Sequence, residues 1–192
     1  NLDKIKFFDS FIKTIRSEYY EKVLQLSNKK FIIDKLPMNF RWIGFIVKAF
    51  PEAKIIHIQR NPMAICWSNY RINFPDPGMD FSLSQKDTAK YYILYDDLIK
   101  FWSEKLKEKI IHIRYESFVN DFENETFNLV EKLGIKWEEN LKNYSENIRP
   151  VQTASLLQVR ETIKKNTSDE WKKYQDHLKI MQETLDSAKI KY

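Results

Sequence analysis

The chain has 192 residues, of which 43% are hydrophobic and 15% aromatic, and this composition excludes an intrinsically disordered protein. The net charge of +5 favours an anionic ligand, but without an arginine-rich arm it does not indicate nucleic acid. No apolar run reaches membrane-spanning length, and no secretory signal is visible, so a cytoplasmic location is expected. The single cysteine, Cys66, is expected to pack inside a helix.

The spacing of apolar residues predicts helices that alternate with strands along the chain. The first part is predicted to contain a helix over 2–26, a short buried strand over 31–34, a helix over 39–50 and a strand over 54–59. The next part is predicted to contain a helix over 62–71, a turn over 74–79, a helix over 85–107 and a strand over 109–116. A helix over 121–133, closed by Gly134, and a mixed segment over 137–166 follow. A capping box at 167–170 predicts the start of a terminal helix that ends near residue 188. This order is typical of an α/β protein with a parallel sheet, in which ligands bind at the carboxyl ends of the strands.

The segment from Lys54 to Phe74 joins a strand end to a helix start. Asn61 is a natural N-cap, and Pro62 fits the first helical position. A helix N-terminus attracts anions, and the planar guanidinium of Arg60 beside it matches the geometry of phosphate. Ser68, about two turns into the helix, offers a second donor. A salt-bridged Arg60 and a Ser68 bonded to its own helix remain the alternatives.

Two further candidates, Lys35 and Tyr115, lie at the ends of predicted strands. Lys35 offers a positive charge for a transferred anionic group, and the alternative is a surface lysine paired with Asp34. For Tyr115 the alternative is a core or rim position. The coincidence of Lys35, Arg60 and Tyr115 at three strand ends favours one shared site more strongly than any of them alone.

A polar stretch near the C-terminus combines small hydroxyl side chains with an arginine, which suits ligand contacts in a loop. Its candidates are Thr153, Ala154, Ser155, Gln158, Val159, Arg160, Ser168, Trp171 and Tyr174. Helix packing is the favoured interpretation of Trp171 and Tyr174, and Ser168 equally suits a helix cap. The three histidines and one cysteine follow no metal-binding spacing, so no metal is expected.

Several separated motifs, in the family's order, resemble those of PAPS-dependent sulfotransferases. The similarity is to the bacterial branch often fused to tetratricopeptide repeats and to the tyrosylprotein sulfotransferases. The motifs are IIDKLPMNFRWIGFIVKAFPEAKIIHIQRNPMAICWSNY, IRYESF, FNLVEKLGIKW, VQTASLLQVRETI and SDEWKKYQDHL, and they cover roughly Phe31 to Leu178. The resemblance implies an α/β, three-layer, P-loop-NTPase-like sulfotransferase fold with a central parallel sheet. It also implies PAPS as co-substrate, PAP as product, a hydroxyl or amine acceptor, no metal, and an upstream tetratricopeptide-repeat region as a partner.

The same resemblance implies a role for each candidate residue. Arg60 and Ser68 match the pair that holds the 3′-phosphate, and Tyr115 matches a strand-end tyrosine near the nucleotide. Lys35 matches the lysine beside the transferred sulfuryl group. The loop over the nucleotide is expected to comprise Ser155, Gln158, Val159, Arg160 and Ile163, with Ser155 supporting Lys35 in catalysis. The chain departs from the tyrosylprotein branch just before Trp171, where that branch has a lysine.

Two parts of the family's site have no counterpart in this sequence. The family's domain opens with a strand and a P-loop-like turn for the 5′-phosphosulfate, and nothing in residues 1–34 resembles them. The general base of the tyrosylprotein branch also lies upstream of the matched region. The chain begins with Asn1, and we expect a single sulfotransferase domain, 1–192, that is N-terminally incomplete. The alternative to sulfuryl transfer is a truncated, inactive nucleotide-binding or interaction fragment. A nucleotide kinase is disfavoured because the Walker lysine is missing.

Overall fold

The computed structural model describes residues 2–74, 77–146 and 167–192. Its α-helices are α1 (Leu2–Leu26), α2 (Ile43–Ala49), α3 (Pro62–Tyr70), α4 (Gln85–Lys105), α5 (Tyr115–Asn120), α6 (Phe122–Leu133) and α7 (Lys179–Ser187). The strands are β1 (Ile55–Gln59) and β2 (Ile110–Arg114), and 3₁₀ helices cover Pro37–Trp42, Asp80–Leu83, Glu139–Glu146 and Thr167–His177. None of the described helices has the length and apolar character that crossing a membrane requires.

The two strands pair in parallel, as predicted for an α/β protein. The Ile55 N–H donates to the Lys109 carbonyl over 3.1 Å, and His57 lies opposite His112 further along both strands. The pairing therefore advances in the same direction on β1 and β2. Because both strands run the same way, their carboxyl ends meet at one edge of the sheet.

The predicted strand over 31–34 is wrong. The segment joins no sheet, and Phe31 and Ile33 are 60% and 89% exposed. A strand is stable only when a neighbour completes its hydrogen-bond ladder, and in the described chain β1 and β2 pair with each other. Side chains hold the segment instead, because the Asp34 carboxylate accepts bonds from Tyr19 Oη and Asn39 Nδ2. Lys35 therefore does not lie at the end of a strand.

Three other boundaries differ from the predictions. The helix expected over 39–50 begins as the 3₁₀ helix Pro37–Trp42 and becomes α-helical at Ile43. The strand expected to reach residue 116 ends at Arg114, and α5 follows it directly. The terminal helix expected from 167 is a 3₁₀ helix to His177, and α7 begins only at Lys179. The Thr167 hydroxyl of the expected capping box pairs with Tyr115 Oη at 3.1 Å.

The chain divides into two compact units, of which the first contains Asn1–Ile55 and Tyr95–Ile110. Ile43, Ile99 and Ile110 form its buried cluster. Gly44 permits the close approach of α2 to the Trp102 ring, because a Cβ at this position would lie 2.6 Å from a ring carbon. The Arg16 guanidinium donates to the Ala49 carbonyl at the end of α2 over 2.6 Å and thereby links α1 to α2.

The second unit contains Ile56–Leu94 and Ile111–Tyr192. Its core draws side chains from α3, α4, the 3₁₀ helix Thr167–His177 and α7. Cys66 is fully buried, as predicted, and burial raises the pKa of its thiol to about 12. Trp171 is also buried in this core, whereas Tyr174 is exposed and stacks on Trp67 with ring centroids 4.6 Å apart. The buried members of the cluster are Met63, Ala64, Cys66, Ala89, Trp171, Leu178, Met181 and Leu185.

Candidate functional site

The candidate site lies in the second unit, where β1 and β2 end. Arg60 follows β1 directly, and Tyr115 is the first residue after β2. The guanidinium carbon of Arg60 lies 4.7 Å from the centroid of the Tyr115 ring, a cation–π distance. The parallel pairing of the strands thus brings together two residues that are 55 positions apart in the sequence.

The N-terminus of α3 adjoins Arg60 and has the predicted cap. Asn61 Oδ1 accepts a hydrogen bond from the Ala64 N–H over 3.0 Å, and Pro62 takes the first helical position. A cap of this type stabilises a helix by about 1 kcal/mol. The positive end of the helix dipole and the guanidinium charge therefore lie next to each other, an arrangement that attracts anions.

The start of the 3₁₀ helix Thr167–His177 orients the Arg60 side chain. Arg60 Nη2 donates to the Thr167 carbonyl over 2.8 Å, and Arg60 Nε donates to Ser168 Oγ over 3.2 Å. A guanidinium carries five N–H donors, and these two hydrogen bonds are the ones that Arg60 makes with described residues. The remaining donors give Arg60 the capacity to hold an anion such as a phosphate.

Glu116, one residue after Tyr115, contacts both Ser168 and the backbone of Asn61. Its Oε1 atom accepts from Ser168 Oγ over 2.7 Å and from the Asn61 N–H over 2.9 Å. Burial raises the pKa of the Glu116 carboxyl, but hydrogen bonds from Ser168, the Asn61 N–H and its own backbone, together with the charge of Arg114, lower it, and the net shift is downward. Glu116 is therefore an ionised acceptor at neutral pH.

Among the described residues, no hydrogen bond joins the other predicted site residues to this network. Ser68 is half-buried on α3, and no hydrogen bond joins it to Arg60 in the described structure. Lys35 is an exposed residue of the first unit. The exposure of Lys35 agrees with the alternative of a surface lysine, but among the described residues Asp34 bonds Tyr19 and Asn39 and not Lys35. The predictions for Thr153, Ala154, Ser155, Gln158, Val159, Arg160 and Ile163 fall outside the described residues.

Two residues of the hydrogen-bond network around Arg60, Glu116 and Thr167, are not predicted as site residues from the sequence. Glu116 stands beside Tyr115 in the sequence, but the predicted strand over 109–116 gave no reason to single it out. The sequence pattern predicts that Thr167 opens a capping box. His57 and His112, both expected to be structural, face each other with their Nδ1 atoms 2.9 Å apart. The described residues contain no group of three or more potential metal ligands.

Comparison with known proteins shows similarity over most of the chain. Residues 3–139 match the model of a family described as the sulfotransferase family, and this range includes Lys35, Arg60, Ser68 and Tyr115. An uncharacterized protein of Aquifex aeolicus (strain VF5) is 29% identical over 184 residues, which cover 94% of this chain and 24% of that protein. The chain thus spans about a quarter of the length of this relative.

Proposed function

This chain belongs to the sulfotransferase family, and from that premise we propose that it transfers a sulfuryl group from PAPS to a hydroxyl or amine acceptor. One observation carries the nucleotide part of the proposal. The Arg60 guanidinium lies 4.7 Å from the centroid of the Tyr115 ring, and Arg60 directly precedes Asn61, the N-cap of α3, where two parallel strands end. This position combines a fixed positive charge, N–H donors that the described residues leave unused and an aromatic surface, and these features suit a phosphorylated nucleoside.

In this proposal each residue has a limited task. Arg60 holds the 3′-phosphate, Ser68 supplies a donor further along α3, and Tyr115 supports the guanidinium from its ring face. The acceptor oxygen or nitrogen bonds to the sulfur of PAPS as the bond from sulfur to the 5′-phosphate oxygen breaks. PAP leaves, and a general base, which the resemblance places upstream of the matched region, takes the acceptor proton. Lys35 neutralises the charge that develops on the phosphate, with Ser155 as a second donor. Gln158, Val159 and Arg160 cover the nucleotide in the proposal.

The wider setting of the domain is also part of the proposal. The relative from Aquifex aeolicus is about four times as long as the stretch it shares with this chain. A larger protein of this kind has room for the upstream tetratricopeptide-repeat region that the sequence resemblance implies. This repeat region, the cytoplasmic location and the chemical identity of the acceptor stay predictions.

The nucleotide preference of the chain tests the proposal. Isothermal titration calorimetry is expected to show that 3′,5′-ADP binds at least about tenfold more tightly than 2′,5′-ADP, because charge-assisted hydrogen bonds to the 3′-phosphate contribute about 1.5–3 kcal/mol each. Both nucleotides carry two phosphomonoesters and the same net charge, so their difference reports the position of the second phosphate. Equal affinities, or transfer of phosphate from ATP, would contradict the proposal.

A transfer assay distinguishes the enzyme from a binding fragment. Incubation with PAPS and a set of phenol, alcohol and amine acceptors is expected to release 3′,5′-ADP in step with a sulfated product. Preferential binding of 3′,5′-ADP without release in the presence of any acceptor would instead favour the inactive nucleotide-binding fragment.

A further inference from the structure

The hydrogen bonds between Arg60 and Glu116 have a fixed direction. The ionised Glu116 carboxylate can only accept, so the single Ser168 hydroxyl proton points to it over 2.7 Å. The Ser168 oxygen is then left with lone pairs, and one of them accepts the Arg60 Nε–H over 3.2 Å. A charged group stands at each end of this chain of bonds, which strengthens both of them.

The position of Ser168 makes this chain of bonds hard to replace. Ser168 is 8% exposed, so water has little access to either bond. The same Glu116 oxygen also holds the N–H of Asn61, the residue directly after Arg60. Glu116 therefore constrains Arg60 in two places. It holds the amide N–H of Asn61, which is bonded to the Arg60 carbonyl carbon, and through Ser168 it holds the Nε atom of the guanidinium.

We propose that Glu116 is a positioning residue, which acts through Ser168 to orient the Arg60 guanidinium for the 3′-phosphate of the nucleotide. This inference rests on the proposed function. Glu116 does not touch the phosphate in this scheme. It fixes the Nε edge of the guanidinium against Ser168, so that the remaining donors are pre-oriented and less side-chain entropy is lost when the nucleotide binds.

Affinities for 3′,5′-ADP and 5′-AMP, measured by calorimetry, test the proposal. The ratio of the two affinities reports recognition of the 3′-phosphate, which 5′-AMP lacks. Glu116→Ala and Ser168→Ala are each expected to reduce this ratio about tenfold. Glu116→Gln keeps a carbonyl oxygen that accepts both bonds and is expected to retain most of the ratio. Glu183→Ala removes an exposed carboxylate from α7 of the same unit and is expected to leave the ratio unchanged.

The outcomes separate this inference from the proposed function. If the unaltered chain does not prefer 3′,5′-ADP, the proposed function fails and this inference fails with it. If the unaltered chain shows the preference but Glu116→Ala and Ser168→Ala weaken both nucleotides equally, the network is merely structural and only this inference is overturned. Should Glu116→Ala not fold, as judged by circular dichroism, Ser168→Ala alone decides, because it removes the same link and leaves the bond from Glu116 to Asn61 in place.

Discussion

Replacing Arg60 by alanine is expected to weaken the binding of 3′,5′-ADP by about 100-fold while changing the affinity for 5′-AMP much less. The guanidinium supplies the fixed charge beside the N-terminus of α3, and its fork can make two parallel bonds to one phosphate. Two charge-assisted bonds at about 1.5 kcal/mol each account for a loss of this size. Calorimetry with both nucleotides measures it directly.

Two further variants serve as controls for the Arg60 experiment. Arg60→Lys keeps the charge without the planar fork, so an intermediate loss of affinity is expected. Lys132→Ala removes one positive charge from an exposed position on α6 of the same unit, and affinity is expected to stay within about twofold of the unaltered chain. An Arg60→Ala variant that folds and binds 3′,5′-ADP as tightly as the unaltered chain would exclude Arg60 as the phosphate ligand.

Replacing Leu185 by alanine is expected to reduce the free energy of unfolding by about 3 kcal/mol. Leu185 on α7 is completely buried in the core that also holds Met63 and Cys66 of α3, so the truncation leaves a cavity beneath the helix that begins at the candidate site. Ile180→Ala on the same helix is the matched control. Its side chain is 54% exposed, and a loss of less than about 1 kcal/mol is expected. Urea denaturation of both variants measures the difference, and similar losses would argue against the packing of α7 described above.

The elements that could be predicted from the sequence are those whose signals are local. The N-cap at Asn61 with Pro62 after it specifies the start of α3, and the structure confirms both. Gly134 ends α6 in the left-handed conformation with φ 68°, as expected from a glycine after a helical pattern. Residues close in the sequence determine this helix start and this helix end, so both can be predicted without knowledge of the tertiary structure.

The features that sequence reasoning missed depend on distant partners. Residues 31–34 have the composition of a strand, but a strand requires a neighbour to pair with, and composition does not supply one. Thr167 has the pattern of a capping box, but its hydroxyl lies against Tyr115, 52 residues earlier in the sequence. Glu116 lies in α5 at the candidate site, because β2 ends at Arg114, two residues earlier than its apolar pattern indicates.

In the proposed function, Arg60, beside Tyr115 and the N-terminus of α3, holds the 3′-phosphate of PAPS. A crystal structure of the chain with bound 3′,5′-ADP tests this role of Arg60. The 3′-phosphate is expected within hydrogen-bond distance of the Arg60 guanidinium, with Arg60 Nε still bonded to Ser168 Oγ. A nucleotide bound with its 3′-phosphate away from Arg60 would contradict the proposal that Arg60 holds this phosphate.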